Sequence, residues 1–162
     1  MSFSKNWTEW WHGLVDPAGE KFRKVIEILR ERYVEEMQQV ERFKQYARQM
    51  HYPQYQQKLL QLAMEKEKHA KWMAEKIISL GGKLPDVPEL SPTDENSWRS
   101  LQLALNDENR SADHLAEQLR RLGLEYSDIT VIFQEMIQEQ KAHRDEIREM
   151  LMRSDPFALS LA

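Results

Sequence analysis

No cysteine occurs in the 162 residues. Disulfides, thiolate catalysis, Cys-ligated zinc and iron–sulfur clusters are therefore excluded from this chain. Glycine is scarce as well, with 5 in all, which leaves few tight turns, and nothing resembles a glycine-rich phosphate loop or a nucleophile elbow. Apolar runs are short. None approaches the roughly 20 residues a membrane helix requires, and the opening MSFSKNWTEWW lacks a signal peptide's apolar core. No membrane contact and a cytoplasmic location are expected. Basic residues are scattered and mostly paired with acids at helical spacing, and the net charge is −4. No nucleic-acid surface is expected either.

What the chain does have is charge, 31% of residues, together with 41% apolar residues. That balance, at this length, suits one soluble domain with a single core. One phrase occurs twice: Glu65-Lys66-Glu67-Lys68-His69-Ala70, and 74 residues later Glu139-Gln140-Lys141-Ala142-His143. The flanks agree in the same register, Tyr52 with Tyr126, Leu62 with Met136, and Met73 with Ile147. Two histidines at matched positions of two matched halves suggest a polar centre lined from both sides.

Helical periodicity supplies the frame. Residues 1–15 read as a lead-in whose Trp7, Trp10, Trp11 and Leu14 form one apolar face, suited to cover the open end of a bundle or to bind a partner. Asp16-Pro17 reads as a helix start, and the first helix runs to about Met50 on a stripe of Phe22, Ile26, Leu29, Tyr33, Met37, Val40, Ala47 and Met50. Glu36 projects onto that stripe, and Glu35 points away. Tyr52-Pro53 breaks the chain and begins a second helix, which stops at Gly81-Gly82 and carries Lys66 and His69 inside its apolar stripe. Ser91-Pro92 with Asp94 reads as the start of a third helix, with Glu108 on its stripe and His114 outward, ended by Gly123. Ser127 caps a fourth, in which Gln140 and His143 interrupt the apolar run. The tail after Ser154, DPFALSLA, either folds back on the bundle or serves as a docking peptide.

Four long amphipathic helices make an all-α four-helix bundle over 16–153, within a single domain of 1–162, with a pseudo-two-fold helix-pair repeat. Counting about 1.5 Å per residue puts Glu36 about 21 Å before the end of its helix and Lys66 about 20 Å after the start of the next. Glu108 and Gln140 stand at corresponding heights in the second half. Glu36, Lys66, His69, Glu108, Gln140 and His143 thus fall in one layer. The connection at 81–91 reaches about 33–36 Å, close to the roughly 40 Å of the second helix, so a long crossover and a plain up-down order are both open.

This arrangement resembles the ferritin-like superfamily of ferritins, bacterioferritins and rubrerythrins, over residues 17–153, and the stretch EKEKHAKWMAEKIISLGGKL is similar to the ending of that family's second helix. The resemblance implies a bundle that holds two iron or manganese ions on one Glu from each of helices 1 and 3 and a Glu-x-x-His pair from each of helices 2 and 4. Glu36 and Glu108 match the single carboxylates; His69 and His143 match the histidines. The pattern then departs: Lys66 and Gln140 stand where bridging carboxylates belong, and the nearest acids, Glu65 and Glu139, lie one residue further back.

Two readings follow. In the first, the buried ammonium of Lys66 beside Glu36 and Glu108 supplies the positive charge the ions would bring, Gln140 adds neutral hydrogen bonds, and the metal-poor bundle works by assembly or partner binding. In the second, Glu36, Glu65, His69, Glu108, Glu139 and His143 bind one or two iron or manganese ions. A helix bulge then swings the carboxylates inward and Lys66 snorkels away. That bundle is a di-metal oxidoreductase acting on dioxygen or peroxide, or a ferroxidase. A homo-dimer or larger homo-oligomer is implied by the resemblance. Without cysteine, the iron domain of complete rubrerythrins is missing, and a haem ligand cannot be singled out among 8 Met.

Overall fold

The structure, a computed structural model, describes residues 17–154, with side chains from Phe22 onward. The Trp-rich lead-in and the tail beyond Ser154 lie outside the described residues. Four helices follow in order: α1 (Pro17–Arg48), α2 (Pro53–Ser79), α3 (Ser97–Leu122) and α4 (Ser127–Arg153). None is long and apolar enough to cross a membrane. The breaks come where the backbone chemistry demands them. Pro53 occupies the first turn of α2 behind an extended Tyr52, as the clash of a proline ring with the preceding residue requires. Gly81 and Gly123, with φ of 87° and 68°, end α2 and α3 in the left-handed region, where a side chain is costly.

The order of packing settles the topology. α1 pairs with α2 and α3 with α4 as two hairpins, and the hairpins meet through α1 against α3 and α2 against α4. Both cross-hairpin pairs are antiparallel: Tyr46 bonds Asp107 at 2.6 Å while Arg121 reaches Glu31 at 2.7 Å, and Lys58 pairs with Glu146 at 2.9 Å while His69 pairs with Glu139. The connection must therefore travel the length of the bundle. It does so along α1, tied by Arg30 to the carbonyl of Lys83 at 2.7 Å, by Arg42 to that of Ser91 at 3.2 Å, and by Gln49 to that of Thr93. From Arg30 to Gln49 that is about 28 Å of helix.

Those same ties explain a difference from the sequence reading. The third helix starts at Ser97, not at Ser91-Pro92. Residues 91–93 are spent on the strap along α1, and the cap falls to Asn96, whose side chain accepts from the Arg99 amide at 2.8 Å. Ser127 is likewise the first residue of α4, behind Tyr126, rather than its cap. On α1 the buried stripe is rotated. Val25, Ile28, Leu29, Arg32, Glu36, Val40 and Phe43 are buried, whereas Phe22 is exposed and Ile26, Tyr33 and Met37 only half-buried. α1 contacts two neighbours, so its inward face bisects them, and the residues at its centre are charged.

The core is consequently in two apolar parts. Phe43, Tyr46, Met50, Leu59, Leu62, Leu101 and Ile147 fill one end. Val25, Ile28, Leu29, Met73, Ile77, Leu115, Ile129 and Phe133 fill the other. A polar layer separates them. At the second end Gly82 lets the chain turn against α1: a Cβ there would stand 2.7 Å from Ile26 Cγ2 and 3.0 Å from Ile77 Cγ2. Both neighbours are β-branched and stiff. Gly82→Ala should lower stability by about 1–3 kcal/mol through overpacking, read as a reduced urea midpoint at unchanged slope.

Candidate functional site

Between the two apolar clusters, Arg32 and Glu36 of α1, Lys66 of α2, Glu108 and Ser111 of α3, and Gln140 and His143 of α4 are all buried. The six residues expected in one layer are brought together there, with His69 at its rim. Lys66 Nζ lies 2.5 Å from Glu108 Oε1 and 5.2 Å from the centre of the Phe43 ring, a cation–π distance. It does not snorkel to solvent. Arg32 Nε sits 3.4 Å from Glu36 Oε1, and its Nη2 donates to Ser111 Oγ at 3.0 Å. Gln140 Nε2 donates to the same hydroxyl at 2.8 Å. Two cations and two carboxylates thus neutralise each other across three helices.

The histidines complete the layer in matched fashion. His69 Nε2 faces Glu139 Oε2 at 2.7 Å, and its Nδ1 is 3.8 Å from Glu36. His143 Nε2 faces Glu65 Oε2 at 2.6 Å, and its Nδ1 is 3.8 Å from Glu108. Each outer carboxylate therefore reaches the imidazole of the opposite helix rather than the one four residues along its own. α2 and α4 run through this level as unbroken α-helix, without the bulge that an inward swing of Glu65 and Glu139 would need. Their side chains stay 37% and 44% exposed, at the rim. Among the described residues no three of His, Asp or Glu converge as a metal-ligand group.

Sequence reasoning missed Arg32. Its signal was present: it precedes Glu36 by four residues, the spacing at which opposite charges meet on a helix. Glu35 also does more than point away, because it is half-buried and pairs with both Arg32 and His114.

The sequence matches the family described as Ferritin, ferritin-like domain, over residues 44–155. The chain belongs to the ferritin-like family. Its fold is similar to that of a ferritin-like, diiron-carboxylate protein from Bacillus anthracis, at 22% identity and a TM-score of 0.69, covering 81% of this chain and 97% of that one. It is similar, too, to the Desulfovibrio desulfuricans bacterioferritin, a structure described by its diiron site, at 21% identity and a TM-score of 0.75, covering 88% and 89%. Curated protein sequences give no match. At these identities the likeness to solved structures carries the fold alone.

In this ferritin-like bundle the electrostatics follow from burial against charge. Burial alone would raise the Glu36 carboxyl, but the charges of Lys66 and Arg32 outweigh it and bring the group from 4.5 down to about 2. Glu108 is lowered in the same way: burial works upward, and Lys66 and His143 work more strongly downward. For His143, burial favours the neutral ring and Lys66 repels a proton, yet Glu108 and Glu65 prevail and the pKa is raised.

These shifts give the layer a pH signature. Glu36 contributes stability that is complete above its unfolded value of 4.5 and is lost as pH falls from there toward about 2, an effect of about 3 kcal/mol. Glu36→Gln should flatten the acid limb of a stability-versus-pH curve measured by urea unfolding between those limits. Lys66→Met, which leaves Glu108 buried without its cation, should cost about 3–5 kcal/mol at neutral pH. Adding Glu108→Gln should restore most of it.

Proposed function

We propose that this is a ferritin-like bundle whose di-metal centre has been replaced by an internal ion-pair layer, a cytoplasmic protein that acts by assembly or partner binding rather than by redox chemistry. The observation that carries this reading is the place of Lys66. Its ammonium occupies the interior beside Glu108, at the sequence position where the family's bridging carboxylate is expected, and Arg32 does the equivalent for Glu36. Positive charge that ions would bring is supplied by side chains. The two fully buried carboxylates, Glu36 and Glu108, are already matched by Lys66 and Arg32, so two divalent ions would bring four charges answered only by the less buried Glu35, Glu65 and Glu139. The interior would be left over-positive, which a low-dielectric core strongly opposes. The residues present do not fit two ions.

The alternative is a di-iron or di-manganese oxidoreductase or ferroxidase on Glu36, Glu65, His69, Glu108, Glu139 and His143. What favours it is the matched Glu-x-x-x-His spacing in both halves. It requires Glu65 and Glu139 to leave the imidazoles they now face and Lys66 to leave Glu108. Elemental analysis of protein from iron- and manganese-supplemented culture, followed by ferrous titration in air, separates the two. Under the proposal the parent retains less than one tightly held ion per chain. Lys66→Glu with Gln140→Glu, which removes the ammonium and supplies both carboxylates, should raise iron or manganese affinity by about a hundredfold or more. Two tightly held ions per parent chain, with an oxidation absorbance, would establish the enzyme instead.

Assembly is supported by the outer face of α2, where Leu60 and the 68% exposed Met64 stand one turn apart. A homo-dimer or larger homo-oligomer is the expected state. Sedimentation velocity should find it, and Met64→Glu should shift it toward monomer without lowering the unfolding midpoint.

A further inference from the structure

A second apolar surface lies away from the polar layer. Trp98, Leu105, Leu151 and Met152 line a groove of about 360 Å³ between α3 and α4, with Arg99, Gln102 and Asn106 as its polar members; Arg99 donates to Gln102 at 3.2 Å. Met152 is 76% exposed there, and Trp98, Leu105 and Leu151 are half-buried. The groove sits at the end of the bundle where α3 begins and α4 ends. One segment outside the described residues starts at that spot, since α4 stops at Arg153, a residue past Met152. The other, preceding Pro17, starts at the far end of α1, about 48 Å away along 32 residues of helix.

We propose that the segment Asp155–Ala162 of the same chain docks in this groove. A proline at position 156 is unsuited to continuing a helix. Phe157, Leu159 and Leu161 alternate with Ala158 and Ser160, so an extended backbone puts all three large side chains on one side. Eight residues reach about 26–29 Å, and the groove from Trp98 to Asn106 is about 12 Å of helix. The segment is long enough to fold back and fill it. A neighbouring groove on the other side of α4, between Gln54, Tyr55, Lys58, Glu146 and Arg153, has similar volume but carries the Lys58–Glu146 and Arg153–Glu149 ion pairs. Covering those four charged residues costs an apolar segment more than lying beside Arg99, the one charged residue of the first groove. The docked segment would hide Met152 and Trp98 and brace the ends of α3 and α4 together.

Because the chain has no cysteine, introduced pairs report cleanly. Ser160→Cys combined with Gln102→Cys places one thiol in the segment and one in the groove; Ser160→Cys with Gln54→Cys offers the competing groove at the same end. In dilute full-length protein under mild oxidation, the 102/160 pair should close within one chain about tenfold faster than the 54/160 pair. Phe157→Ser with Leu159→Ser should abolish that preference. Equal rates, a faster 54/160 pair, or bridges formed only between chains would overturn the proposal, the last by assigning the groove to a second copy. Amide exchange gives an independent readout: ending the chain at Ser154 should speed exchange over residues 98–106 severalfold, and unchanged exchange there would count against docking.

Discussion

The structure depends on mutual neutralisation of buried charge. Arg32, Glu36, Lys66 and Glu108 are each no more than 1% exposed. A lone carboxylate or ammonium at that depth would cost several kcal/mol or change its protonation. Held together, they pull the Glu36 and Glu108 carboxyls below the ordinary range and make the layer a fixed ionic girdle. Apolar side chains can then adjoin the layer, as the Phe43 ring does 5.2 Å from Lys66 Nζ.

The layer also fixes which helices must meet. Lys66 belongs to the first hairpin and Glu108 to the second; Glu65 and Glu139 each cross to the imidazole on the opposite helix. α2 could not slide by a turn without breaking all three of these contacts at once. Buried polar contacts of this kind set register, which a uniformly apolar seam does poorly. In this ferritin-like bundle the Lys66–Glu108 and Arg32–Glu36 pairs stand at the middle of the core.

Much of this was legible in the chain itself. Helix count, the Tyr52-Pro53 break and the common height of Glu36, Lys66, His69, Glu108, Gln140 and His143 all follow from local rules, namely proline geometry, period and rise per residue. Local rules could not supply the direction of the connection. Arg30, Arg42 and Gln49 bind carbonyls 44 to 53 residues away, and those bonds both decide the crossover and displace the start of α3. Helical periodicity places Glu36 on the stripe of α1 but not Arg32, a fully buried charge that counts as surface in a hydrophobic pattern, nor Val25, Ile28 and Phe43, which face the second neighbour of α1. Lys66 beside Glu108 was legible, but the partners of Glu65 and Glu139 were not: the Glu-x-x-x-His spacing suggests a Glu and His that share a helix face, whereas the pairing runs between helices.

The crossover strap carries a consequence for how the molecule comes to be. Each hairpin closes through a short turn and can form early. Joining the hairpins brings together residues such as Tyr46 with Asp107 and Glu31 with Arg121, 61 and 90 positions apart. Long loops of this kind are entropically expensive to close. Until they close, Glu108 lacks the ammonium that stabilises it, so the late step of folding is also the step at which its charge is first answered. A chain arrested before that point would display two half-built polar faces, each complementary to the other, and a neighbouring molecule in the same condition could offer the missing half.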